Sequence, residues 1–469
     1  MRKLLLALVV ATLSAPVLHA QTLDRSKRPV AEPGVAFRFP EVVSEKLPNG
    51  LTVRVIEDHS VPVVAVRVVL GVDSTYDPPG KEGLFAVTMG ALRDANATPA
   101  GDSLVRAAAL IGTPVTPTSF TTTSSSFPAA LSILGRMLAT SSLDSGVVER
   151  RKVIQAAAAR RVAQTPSTPA RHLFYQLLYG ANDPFTRSLV PTEAGVQSIT
   201  ASDVQSFHAR FFSPAAITLV IAGDVNPNAA LAEARKVFGK WESTPAPVNP
   251  AESEALPTRD TVVIHLIDAP GQQAYVYIGG IGPRRVPADA AAAELLGAVA
   301  TSRMQQELRD RRALIYSGAI GLTWRRPTQP SAFVGSAVVD PRKVDSVLIS
   351  WVALLRAVRD SQPPTGPEID AGRRARVGSL AARFDGADSV AARVVELVRD
   401  GLTPEYYSDW TAQMTSSSVG GVAEAARRVI DLDQLIVVVS GDRRVIEPAL
   451  RASRLGPIVV VDTDGRQKP

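Results

Sequence analysis

A chain of 469 residues, 45% apolar and 20% charged, has ordinary globular composition, apolar material for a buried core and length for two to four domains. It contains no cysteine, which excludes a disulfide framework, a cysteine-borne lipid anchor and a thiol nucleophile. The formal charge of +6 comes from interspersed acids and bases, and runs such as Arg150-Arg151-Lys152, Arg160-Arg161 and Arg311-Arg312 read as solvated helix faces rather than a nucleic-acid surface.

The chain opens with Arg2 and Lys3, an apolar stretch Leu4–Leu13 and a cleavage-like Leu18-His19-Ala20 before Gln21. Residues 1–20 therefore read as a signal peptide, too short for a membrane span, and the expectation is an exported protein, periplasmic or secreted. Its removal would lower the charge to +4. No later run approaches 18 apolar residues, so no integral membrane segment is expected after cleavage. Residues 21–34 form a polar, proline-bearing arm.

Leu51–Ile56 alternates as a half-buried strand after the Asn49-Gly50 turn, and Val61–Leu70 is its β-branched neighbour. Helices follow from about Gly83, then over Ala129–Thr140, Ser145–Gln164, His172–Tyr179 and Ser202–Phe212. Ile217–Asp224 is a buried strand and Asn226–Phe238 a helix. Residues 243–258 carry Pro245, Pro247, Pro250 and Pro257 and read as an extended linker. The pattern then restarts, with strands at Thr261–Ile267 and Gln273–Ile281 and a long helix at Ala288–Arg312. Strands Tyr316–Trp324 and Ala332–Val339 come next, then helices Lys343–Val358 and Pro367–Arg383. Leu435–Asp442 is another buried strand.

ITLVIAGD ends at Asp224 and LIVVVSGD at Asp442, an offset of 218 residues. That repeat predicts an α+β fold of two homologous domains, residues 35–242 and 259–465, each a mostly antiparallel sheet with helices packed on one face.

Several motifs resemble the M16 (pitrilysin/insulinase) family of zinc peptidases in its two-domain form, the fold of processing-peptidase subunits. They are Leu47-Pro48-Asn49-Gly50-Leu51, Gly80-Lys81-Glu82-Gly83-Leu84, Tyr179-Gly180 with Asp183-Pro184-Phe185, Ser198-Ile199-Thr200 with Phe207-His208 and Phe212-Ser213-Pro214, and Ala222-Gly223-Asp224. The resemblance implies two such units closing around a cavity that admits an unfolded peptide. It also implies an H-x-x-E-H helix, whose histidines bind Zn²⁺ from one face while the Glu serves as base. Here the matching positions are Ala86, Met89 and Gly90, and the third ligand falls near Gln155. None is a normal zinc ligand, so no metal is expected in this chain. The segment between them is also about ten residues shorter than the resemblance implies, which predicts a clipped strand.

No other cluster substitutes for the missing ligands. His59, His172, His208 and His265 have no second His or Cys at ligand spacing, no G-x-S-x-G elbow occurs, and Gly279-Gly280 with Gly282 reads as a strand end rather than a phosphate loop. What the resemblance does retain is Arg309 and Tyr316, with six residues between them in Leu308–Ser317. In the family such a pair holds substrate carbonyls and stabilises the oxyanion. A guanidinium is always charged and a phenol donates without charge, so the residue types suit that work. The leading reading is a non-metal-binding subunit of a heterodimeric M16-type peptidase. A partner bearing H-x-x-E-H supplies zinc, and this chain supplies Arg309 and Tyr316 in trans for cleavage of unstructured peptides. The alternative is a catalytically inactive scaffold or peptide-binding protein, including a homodimer. A third reading, an autonomous metallopeptidase, lacks a ligand set.

Overall fold

The computed structural model describes residues 39–95, 102–139, 143–244, 261–463 and 465–467. The leader, the arm and the proline-rich stretch after residue 244 lie outside the described residues.

The first half runs β1 (Val43–Lys46), β2 (Thr52–Glu57), β3 (Val63–Leu70), α1 (Leu84–Ala95), α2 (Asp102–Leu110), β4 (Ser119–Thr123), α3 (Phe127–Ala139), α4 (Ser145–Gln164), α5 (Thr168–Tyr179), α6 (Pro184–Ser188), α7 (Glu193–Ser198), α8 (Ala201–Phe211), β5 (Ile217–Gly223) and α9 (Pro227–Phe238). The second half runs β6 (Ile264–Asp268), β7 (Ala274–Arg284), α10 (Pro287–Met304), β8 (Ile315–Thr323), β9 (Pro330–Val339), α11 (Val344–Arg356), α12 (Gly366–Arg383), α13 (Ala387–Arg399), α14 (Tyr406–Ser416), α15 (Val419–Val429), β10 (Ile436–Gly441), α16 (Arg443–Ser453) and β11 (Ile458–Val461).

Two mixed, mainly antiparallel sheets result, ordered β1-β2-β5-β3-β4 and β11-β6-β10-β7-β9-β8. The repeat is visible in the pairing. β2 lies parallel to β5 and β5 antiparallel to β3, as β6 lies parallel to β10 and β10 antiparallel to β7. β4 matches β9 in position, and β8 has no counterpart among the described residues of the first half. Thr116 reaches Ser119 only through an isolated bridge. This is where the clipped strand was expected.

As expected, each half packs its own helices on one face of its sheet, and the second face is covered from the other half. Alternation along the strands gives each sheet two apolar faces, and each half covers only one with its own helices. Val53, Val55, Val66, Leu219 and Ile221 pack under helices of the first half. On the opposite face, Ile56, Ala65, Val220 and Ala222 pack under Ala387, Val390, Ala391 and Val394 of α13, from the second half. Reciprocally, Ile267, Ile436 and Val438 are covered by Leu173, Phe174 and Leu178 of α5, from the first half. A buried ion pair locks this exchange: Arg325 donates to Asp183 at 3.1 and 3.2 Å, with side chains 7% and 2% exposed. Arg325 also lies 4.3 Å over the Tyr179 ring.

Two expectations need correction. The long helix does not run regularly to Arg312, because it widens into a π-type turn over Gln305–Arg311, and α11 does the same over Ala357–Ser361. Gly279 and Gly282 do not end a strand but lie inside β7. A Cβ at Gly279 would sit 2.1 Å from the Phe333 carbonyl oxygen, so close approach of β9 requires the glycine.

Candidate functional site

The degenerate metal positions come together where α1 packs on α4. The start of α1 is fixed by buried Asp77, whose carboxylate accepts from the N–H groups of Gly83 and Phe85, both at 2.7 Å. Burial outweighs these bonds and pushes that carboxyl up to about 6. One turn into α1, the Ala86 carbonyl receives a long 3.5 Å contact from the Gln155 amide. The positions read as first and third ligand thus adjoin.

One turn before Gln155 on α4 lies Arg151, packed against Gly90. It is 7% exposed, and its Nε donates to Asp94 at 2.9 Å while Nη2 makes a second contact to the same carboxylate. A Cβ on Gly90 would stand 2.3 Å from Arg151 Cδ and 2.5 Å from its Nε. The stem of a cation therefore fills the space where a second histidine would begin. Alanine, glycine and a thioether offer no zinc donor set, and a guanidinium beside them repels a dication. The residues present do not fit the metal. Among the described residues no group of three His, Cys, Asp or Glu side chains could hold one.

Arg309 and Tyr316 occupy a different element pair, built from three irregularities in succession. Arg309 is exposed on the widened turn Gln305–Arg311, where Leu314 N–H reaches back to the Leu308 carbonyl at 2.6 Å. Ala313 then takes a left-handed φ of 48°, sparsely populated for a residue with a side chain, and its carbonyl accepts from Lys343 Nζ at 2.9 Å. Finally β8 bulges at Tyr316, since Ile315 faces Val339 and Ser317 faces Val338, leaving Tyr316 as the extra residue and 58% exposed. Such devices re-aim side chains. The same α10 and β8 border a cleft of about 740 Å³, also lined by Trp324, Arg376, Tyr406 and Trp410. The buried Glu294 carboxyl in its wall is raised by desolvation.

One cluster was not legible from histidine spacing. His59 is not isolated: its Nδ1 lies 2.5 Å from Asp224 and its Nε2 3.0 Å from Glu57, and the two carboxylates raise its pKa. Ser124 Oγ donates to the other Asp224 oxygen at 2.5 Å. The aspartate therefore stands between the serine and the histidine, so no Ser–His hydrogen bond activates a nucleophile. His208 is mostly buried and stacks on Phe212, which lowers its pKa by desolvation.

Residues 198–375 match the family model described as the peptidase M16 inactive domain. That stretch carries the likeness to the M16 peptidase family. The chain is 28% identical over 203 residues to an uncharacterised zinc protease of Streptomyces coelicolor, a match covering 40% of the chain and 43% of that relative. It thus spans less than half the length of that curated relative. Among solved structures, the peptidase M16 inactive domain from Pseudomonas fluorescens superposes with a TM-score of 0.75 at 19% identity, over 86% of this chain and 98% of that one. The periplasmic protease PqqL of Escherichia coli gives a TM-score of 0.69 at 14% identity, over 93% of this chain but 52% of PqqL. At these identities the likeness establishes the fold. Among the described residues no helix is long and apolar enough to cross a membrane.

Proposed function

We propose that this chain is the non-metal-binding subunit of a two-chain M16-type peptidase acting on unstructured peptides. Its two domains are residues 35–242 and 259–465, joined by the linker 243–258, and residues 1–20 direct it out of the cytoplasm. The observation that carries the reading is an asymmetry. The α1/α4 locus is committed to the Arg151–Asp94 ion pair, while Arg309 and Tyr316 remain exposed on a frame that three irregular turns hold in place. PqqL supports pairing of two units, because this chain accounts for 52% of it.

In this role Arg309 and Tyr316 donate to the scissile carbonyl oxygen, most strongly when it becomes an oxyanion. Neither donor needs a change of protonation state. An H-x-x-E-H-bearing M16 homologue brings the zinc, the water and the base.

The test is co-expression with such a homologue and a zinc-dependent peptide assay of each chain alone and together. Cleavage is expected only for the pair. Arg309→Ala or Tyr316→Phe should each lower kcat about a hundredfold, as loss of one preorganised oxyanion donor does. Full activity of both variants would refute the assisting role and leave a scaffold.

A further inference from the structure

We propose that Thr301 and Gln305 are positioning residues that set α10 in register along the free edge of β8 and so hold Arg309 at the level of Tyr316. The proposal rests on the role just given to that pair. Among the described residues β8 is the outermost strand of its sheet, and one row of its backbone polar groups has no partner strand there. Helix α10 supplies one. Thr301 Oγ1 donates to the Ile320 carbonyl and accepts from the Ile320 N–H, both at 2.8 Å. Gln305 Nε2 donates to the Gly318 carbonyl, and its Oε1 takes a long 3.5 Å contact from Arg309 Nη1.

The spacing is the argument. Helix positions advance by four, from 301 to 305, while strand positions fall by two, from 320 to 318. Four helical residues rise about 6 Å and two strand residues about 6.6 Å, so the two ladders stay in step. The series begins at Gly297, where a Cβ would lie 3.2 Å from Gly321 Cα, and its small size lets the helix approach. Continued at that spacing the series points Arg309 toward position 316, although the helix widens from Gln305 onward. There the bulge takes β8 out of the ladder, and the guanidinium, held by Gln305 rather than spent on a strand carbonyl, is left for a ligand.

Gln305→Leu and Thr301→Val in the reconstituted peptidase should each lower kcat about tenfold with KM within twofold, since a small misplacement of a reacting-site donor carries such a loss. Thr301→Ser, which keeps the hydroxyl, should restore the rate. If Gln305 acts through Arg309, the Gln305→Leu/Arg309→Ala double variant should be no slower than Arg309→Ala alone. A further tenfold loss in the double variant, or full activity of Gln305→Leu where Arg309→Ala is slow, overturns the positioning role while leaving the pair's role intact. Full activity of both Arg309→Ala and Tyr316→Phe instead defeats the underlying reading. Deuterium exchange over residues 316–323 reads the ladder without any activity. It should accelerate about tenfold in Thr301→Val with an unchanged melting temperature, because the Ile320 N–H loses its acceptor. Unchanged exchange refutes the register.

Discussion

Substituting Gly90 by alanine tests whether the position that the resemblance matches to a metal ligand is committed to an ion pair. Helix propensity alone would make the change stabilising by about 1 kcal/mol, since glycine is the poorer residue in the middle of α1. The structure opposes it. The new Cβ would fall 2.3 Å from Arg151 Cδ, so the arginine stem must leave its groove and break the contact to Asp94. The two side chains are 8% and 27% exposed. Disrupting a fully buried pair costs about 3–5 kcal/mol, and partial exposure of Asp94 reduces this to about 2–3 kcal/mol. Gly90→Ala should therefore be net destabilising by about 1–2 kcal/mol, read as a lowered urea midpoint with an unchanged m value. In an Arg151→Ala/Asp94→Ala background the same substitution should become stabilising by about 1 kcal/mol. If Gly90→Ala stabilises the unmodified chain, Arg151 does not need that space and the account of the locus is wrong.

Arg325→Leu should cost about 3–5 kcal/mol in urea unfolding, because it strands the 2% exposed Asp183 carboxylate at the seam between the halves; a loss under 1 kcal/mol would contradict this. The Arg303 guanidinium and the Thr365 hydroxyl and N–H hold Glu368 at about 2, below its ordinary 4.5. That stability is present above pH 4.5 and fades as pH falls toward 2, worth about 1–2 kcal/mol after screening, and Glu368→Gln should remove this part of the acid slope. Asp77 has the opposite sign. Its pKa is raised from 3.8 to about 6, so its protonated form favours the fold below that window and about 3 kcal/mol is lost as pH rises through it. A stability profile without a decline between pH 4 and 6, once the Glu368 contribution is subtracted, would contradict the burial of that group.

Strands whose identity is local were legible in the sequence. ITLVIAGD and LIVVVSGD become the central β5 and β10, and their shared offset reflects a shared pairing pattern. The destinations of α5 and α13 were not, because an apolar helix face does not say whose sheet it will cover. Arg151 was read as part of a solvated basic run, yet it is buried. A signal existed: Arg151 stands one turn before Gln155, and Asp94 one turn after Gly90, so a cation and an anion face each other across the same two helix stripes. The widened turn before Tyr316 had no signature in Leu308–Ser317, since i to i+5 bonding leaves no hydrophobic period.

Under the proposed function, the reciprocal helices also bear on how the α1/α4 locus can lack metal ligands while the frame of Arg309 and Tyr316 is kept. The α1/α4 locus belongs to the core of the first half, and α10 with β8 to the core of the second, so repacking around Arg151 touches no side chain that supports Arg309. Yet the halves are not free of each other. α5 follows α4 after a short turn and lies on the second sheet, where Tyr175 donates to Thr323 at 2.8 Å, at the far end of the strand that bears Tyr316. Side-chain chemistry at one locus can thus change independently, because contacts that do not share partners add. The relative placement of the loci is tied, because α5, which follows α4, contacts β8 through Tyr175 and Thr323. In the function proposed above, an arrangement of this kind accommodates non-ligating residues at α1 and α4 while still presenting the strand that bears Tyr316 at a fixed place relative to them.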